Sequence, residues 1–158
     1  MELRNGAIGA LIDEFERAVR EIKAVLKTVS EPEFANVVDP DTHDENCRSI
    51  QTIVAHVVDA GYAYTDSVRD HFGIKTTVHS LNLPGFSNAE TEFDALLNYT
   101  FQTFSDRWDL TDKNVSEMTI RTRWGADWGL EQLLEHAIVH VLRHRRQIER
   151  FLSLLRSA

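Results

Sequence analysis

Glu135-His136-Ala137-Ile138-Val139-His140-Val141-Leu142-Arg143-His144-Arg145-Arg146-Gln147 places three imidazoles four residues apart in a strong helix-forming run. Each four-residue step turns a side chain by about 40° on an α-helix, so the rings stack along one side at successive turns. Neutral imidazole is the commonest metal ligand, and two at i and i+4 can share one ion if another element supplies the rest. The run lies within a helical segment from about Gly129 to Arg156, whose core face is Leu130, Leu134, Ala137, Val141, Ile148, Leu152 and Leu155. By rotation from the centre of that stripe, His144 lies about 50° away, His140 about 90° and His136 about 130°. His144 is the most inward of the three.

Three more segments carry a helical period. From Gly6 to Val29 the stripe is Ile8, Leu11, Ile12, Phe15, Val19, Ile22, Leu26 and Val29. From Asn46 to His71 it is Ile50, Ile53, Val54, Val57, Gly61, Tyr64 and Val68, with Gly73 as terminator. A third begins at Ser87-Asn88-Ala89-Glu90, which has the capping-box pattern, and buries Phe93, Leu97, Thr100, Phe101, Phe104 and Trp108. All three prolines, Pro32, Pro40 and Pro84, fall between helices. Ser30 to Glu45 reads as a long polar connection. Met118 to Trp124 alternates weakly enough for a short extended piece, but no sheet is expected. The pattern predicts an all-α, single-domain chain over residues 1–158, a four-helix bundle. Its connections exceed the short turns of a simple up-and-down bundle, so at least one crossover is expected.

Composition narrows the function. Seventeen basic residues against twenty-five acidic ones give a net charge of −8, which disfavours a nucleic-acid surface. No apolar run approaches a membrane span, and Met1-Glu2-Leu3-Arg4-Asn5 lacks the basic-then-apolar pattern of a signal peptide, so a cytoplasmic location is expected. The single cysteine, Cys47, rules out an internal disulfide and fits a reducing compartment. Cys47 reads as an inert, half-buried thiol unless the nearby helix dipole lowers its pKa.

His56 sits on the flank of its stripe, with Ala60 and Ala63 nearby, so that side of the second long helix has room at a helix interface. Ser49-Ile50-Gln51-Thr52-Ile53-Val54-Ala55-His56-Val57-Val58-Asp59-Ala60 resembles the second helix of the DinB/YfiT-like superfamily, with its single ligand histidine. Trp128 to His136, continuing through His140-Val141-Leu142-Arg143-His144-Arg145-Arg146-Gln147-Ile148, resembles that family's last helix, with two histidines four apart followed by arginine and glutamine. The resemblance spans nearly the whole chain. It implies a bundle of unusual crossover topology, a homodimer, and a divalent metal, most often zinc or nickel, held by His56, His140 and His144. Arg146 stands where many members have glycine.

A site of three imidazoles leaves the ion at least one open position, which suits activation of water or a thiol. Family members include transferases and isomerases that use low-molecular-weight thiols, and others described as metal-dependent hydrolases. The expected function is therefore a metal-dependent enzyme, hydrolase or thiol-dependent transferase, on a small-molecule substrate. The alternative is a metal-binding scaffold without turnover. Asp59, Glu135 and His136 are candidates for orienting a ligand or moving a proton. Tyr62, Trp124 and Trp128 are candidates for a substrate pocket, although aromatic residues near helix ends also serve as core. His43, His71 and His79 read as solvated, and the basic run Arg143, Arg145, Arg146, Arg150 and Arg156 as a solvated face paired with acidic residues, or a dimer contact.

Overall fold

Each of the four apolar stripes becomes a long helix in the computed structural model, which describes residues 3–77, 79 and 82–157. In chain order the helices are α1 (Gly6–Leu26), the short α2 (Glu31–Ala35), α3 (Ile50–His71), α4 (Ala89–Phe104), the short α5 (Asp112–Glu117) and α6 (Leu130–Ser157). Single 3-10 turns precede α3 at Glu45–Cys47 and α4 at Phe86–Asn88. A two-stranded antiparallel ribbon, β1 (Thr119–Arg121) and β2 (Asp127–Gly129), leads into α6.

The long helices close a ring in which α1 packs on α6 and α4, and α3 packs on α4 and α6. The consecutive pair α1 and α3 is not among the closely packed pairs. Directions follow from side-chain partners. Arg145 reaches Glu21 and Arg156 reaches the Thr28 carbonyl, so α1 and α6 run parallel. Asp66 meets Tyr99 and Arg69 meets Thr103, so α3 and α4 run parallel as well. His56 meets His140 while Tyr64 meets His136, which makes α3 and α6 antiparallel. The link from α3 to α4 must therefore return along the helix pair. Its Thr77 amide donates to the Tyr99 hydroxyl, and the Pro84 carbonyl accepts from Gln51 at the other end of α3.

Close approach of α3 and α4 depends on Gly61, because a Cβ there would lie 2.5 Å from the Leu96 side chain. Gly73, with φ of +66°, closes α3 as its position suggests, and the Ile74 amide bonds back to the Arg69 carbonyl. The buried apolar residues form two clusters, one around Val19, Ile53, Phe93 and Ile148, the other around Ile8, Phe104, Ile120 and Leu133.

Several expectations need correction. The ribbon is a small sheet where none was expected. Each strand has only three residues, and in β1 only Ile120 is buried, too short a run for alternation to register. The polar connection after α1 contains α2, anchored by the fully buried Phe34. The capping box at Ser87 does not form, because a 3-10 turn occupies Phe86–Asn88 and the Ser87 hydroxyl bonds Asn88. Reciprocal caps form instead at Ser49 with Thr52 and at Thr111 with Asn114. No helix among the described residues is long and apolar enough to cross a membrane.

Candidate metal centre

Antiparallel packing of α3 against α6 brings His56 to His140 and His144. One ligand nitrogen from each ring lies within 4.8 Å of the other two, and this is the cluster of potential metal ligands found among the described residues. The His56 and His140 Nε2 atoms are 3.1 Å apart, and the three ring centroids are 4.5 to 4.9 Å from one another. His140 and His144 are 5% and 4% exposed; His56 is half-buried. His140 is thus buried as deeply as His144 despite its place at the edge of the stripe. The reason is that α6 is covered on two sides, by α1 and by α3, so its buried arc is wider than its apolar one.

One nitrogen of the triad is oriented and another is left over. The His144 Nδ1 lies 3.0 Å from the Gln147 Oε1; the amide oxygen can only accept, so Nδ1 carries the proton and Nε2 presents a lone pair. That Nε2 is buried and has no hydrogen-bond partner. A buried polar atom without a partner costs about 1–3 kcal/mol, and a ligated ion is one way to satisfy it. The rings are also held neutral, the form that ligates. Burial, reinforced by His144, His56 and Arg143, pushes His140 down to about 3. Burial pushes His144 down to about 4 against the opposing bond from Gln147, and burial also lowers His56. The donor set, its spacing and the orphaned nitrogen fit a divalent ion.

A cavity of about 480 Å³ opens beside His56 and His144, and its wall includes Cys47, Asp44, Gln147, Arg143, Arg146 and Arg150. Cys47 is half-buried in the 3-10 turn, and its Sγ donates to the Asp44 carboxylate at 3.5 Å. Burial pushes its thiol pKa up, and the Asp44 charge acts in the same direction, so the helix dipole does not make it a thiolate. Burial opposes ionisation of Asp44, but bonds from the Asn46 amide and the Cys47 thiol hold its pKa below the usual value.

On the other side of the triad stands an aromatic group. Tyr64 is edge-on to His140 at 5.7 Å and to His136 at 5.5 Å, Trp128 packs on His136 at 5.0 Å, and Trp124 packs on both Trp128 and Tyr64. The ribbon positions the two tryptophans, its tip fixed to α3 by bonds from the Arg123 amide to Ser67 and from its guanidinium to Asp70. Tyr64 counted only as a core residue in the sequence. Trp124 is 46% exposed, and neither tryptophan lines the cavity beside His56.

The remaining sequence candidates lie elsewhere. Asp59 and Tyr62 face a second cavity, with Asp66, His79 and Arg123, and Asp59 makes no hydrogen bond to His56 among the described residues. Burial raises the Asp59 pKa. Glu135 is exposed on α6, and His136, half-buried, has its centroid 6.1 Å from that of His140. His43 and His71 are exposed as expected, whereas His79 is not solvated: it stacks on Tyr62 at 3.5 Å and lies 3.8 Å from Asp66. The orienting group that sequence reasoning passed over is Gln147, although it stands one turn after His144 and was already part of the quoted motif. Comparison with family models, curated proteins and solved structures yields no match.

Proposed function

We propose that His56, His140 and His144 hold a divalent metal ion, zinc or nickel, and that the protein is a metal-dependent enzyme acting on a small molecule. The main support is the convergence of three neutral imidazoles in which the His144 Nε2 is buried and unpartnered. In this reading the ring of long helices is a four-helix bundle of the DinB/YfiT-like kind, for which the parallel pairing of α3 with α4 and of α1 with α6 is supporting topology. A bound ion supplies a Lewis acid with an open position, the requirement for a hydrolase or a low-molecular-weight-thiol-dependent transferase. Gln147 fixes the tautomer of His144, the packing of Tyr64 on His140 restrains that ring, and the adjoining cavity admits the substrate.

The competing reading is a metal clamp between α3 and α6 without turnover. The cavity of about 480 Å³ against two of the three ligands favours the enzyme, since a structural site is closed by four protein groups. Elemental analysis of the untagged protein, with His56→Ala and His140→Ala prepared in parallel, tests the site. About one divalent ion per chain is expected in the parent and none in either variant. A parent that takes up neither zinc nor nickel on reconstitution removes both readings.

A further inference from the structure

The chain has thirteen arginines, and three of them stand apart. Arg4, Arg145 and Arg156 hold carboxylates at Asp13, Glu21 and Glu33, and the buried Arg69 donates to the Lys75 carbonyl and the Thr103 hydroxyl. Every other arginine outside the cavity wall is likewise engaged. Arg143, Arg146 and Arg150 have no ion pair or hydrogen bond among the described residues. Scarcity of acids is no explanation, because the chain has twenty-five of them and a net charge of −8. All three line the cavity that opens on His56 and His144.

Their spacing, i, i+3 and i+7, puts them on one face of α6 over about 10 Å of helix axis. The carboxylate on the same wall, Asp44, is engaged by the Asn46 amide and the Cys47 thiol and makes no ion pair with them. All three side chains are exposed, so the wall offers solvent-facing positive charge beside the neutral histidine triad. A guanidinium presents a planar fork that matches the oxygens of a carboxylate or phosphate. Six residues separate His144 from Arg150, about 9 Å along the helix, which a small molecule can bridge.

We infer that this cavity recognises a small oxyanion ligand, whose carboxylate or phosphate is held by Arg143, Arg146 and Arg150 and whose other end faces the histidine triad. The anion-binding half of the inference stands on the arginines alone; the orientation rests on the metal reading above. A macromolecular polyanion is disfavoured by the net charge of −8.

Calorimetric titration of the full chain, metal-free and zinc-loaded, with succinate and separately with glycerol 3-phosphate distinguishes the two anion types. Each is measured at low and high salt on the parent, Arg146→Gln/Arg150→Gln and Arg145→Gln, with zinc content determined on the same samples. At least one anion is expected to bind the parent, with affinity about tenfold or more lower in the double variant and at high salt, and unchanged in Arg145→Gln. Zinc content should be the same in all three proteins. Arginine-dependent binding in a chain that takes up no zinc upholds the anion site and removes the metal reading. Full zinc occupancy with anion affinities indifferent to the double substitution, or no binding of either anion, overturns the inference and leaves the metal site standing.

Discussion

Two polar regions lie along α3, and they differ in how completely their groups are paired. Toward its C-terminal end Thr65, Asp66, Ser67 and Arg69 are buried, yet each has a partner. Asp66 accepts from the Tyr99 hydroxyl at 2.6 Å and pairs with Arg123 at 3.2 Å, and Thr65 meets Thr100 at 3.1 Å. Toward the N-terminal end, the His56 and His140 Nε2 atoms share one hydrogen bond at 3.1 Å, the His144 Nε2 has no partner, and three arginines line the adjoining wall without an ion pair. Satisfied buried polarity holds a fold together; unsatisfied polarity gathered beside a cavity is what a ligand would complete. On the proposed reading, the first region serves stability and the second serves binding.

The largest effect should come from the second region. His140→Ala should lower zinc or nickel affinity by more than about a thousandfold, since two imidazoles without a third ligand make a poor site. Helical content by circular dichroism should be nearly unchanged. Retained stoichiometric metal would break the assignment of His140 as a ligand.

Asp66→Ala should do the reverse. Removing the carboxylate leaves the Tyr99 hydroxyl without its acceptor while Arg123 keeps Asp70, and a loss of about 1–3 kcal/mol in unfolding free energy is expected from denaturant titration, with metal content unaffected. A variant that instead loses metal and keeps its stability would erase the division between the two regions.

Much of this division could not be read from the sequence, and the reasons are physical. Periodicity finds residues that avoid water, so it recovered the stripes of α1, α3 and α6 but not Thr65, Asp66 and Arg69, whose burial depends on partners supplied by α4. The histidines were legible because four-residue spacing on one helix is itself geometry, and His56 was then picked out by motif. Arg143, Arg146 and Arg150 are exposed, as a solvated face should be, but the pairing with acidic residues expected along the run is made by Arg145 and Arg156 and not by these three. A run on one helix does not reveal that Arg145 turns to Glu21 while Arg143, Arg146 and Arg150 line an open cavity together with Asp44 and Cys47. The ribbon escaped because its strands are shorter than any repeat that marks them.

A smaller effect should follow at Gln147, which hydrogen-bonds one of the proposed ligands without being one. Gln147→Ala frees the His144 ring to change tautomer and should weaken metal binding about 10–100-fold, the usual cost of losing the partner that orients a ligand. Competition with a chelator of known affinity reads the difference, and full rescue by Gln147→Glu would separate orientation from mere packing. No change in either variant would leave the orientation of His144 unexplained by Gln147.

Proton competition gives a pH signature confined to the same region. In the folded, metal-free chain His140 and His144 sit near 3 and 4 against an ordinary 6.5. Between those values the unfolded chain binds protons that the folded one refuses, so stability should fall as pH drops from about 6.5 toward 4 and stay level above. His140→Ala should flatten part of that slope, whereas Asp66→Ala should not.

His136 offers the finest discrimination. Its ring continues the stack one turn beyond His140, but its centroid is 6.1 Å away and its other ring contacts are Trp128 and Tyr64 rather than His56 and His144. His136→Ala should therefore change metal affinity by less than about threefold while removing an edge-on aromatic contact of about 0.5–1.5 kcal/mol. Both quantities are measurable on one preparation, by chelator competition and by denaturant titration. A loss of metal equal to that in His140→Ala would move the ion one turn along α6, toward the tryptophans and away from the arginine-lined cavity, and would make Trp124 and Trp128 the neighbours of the substrate.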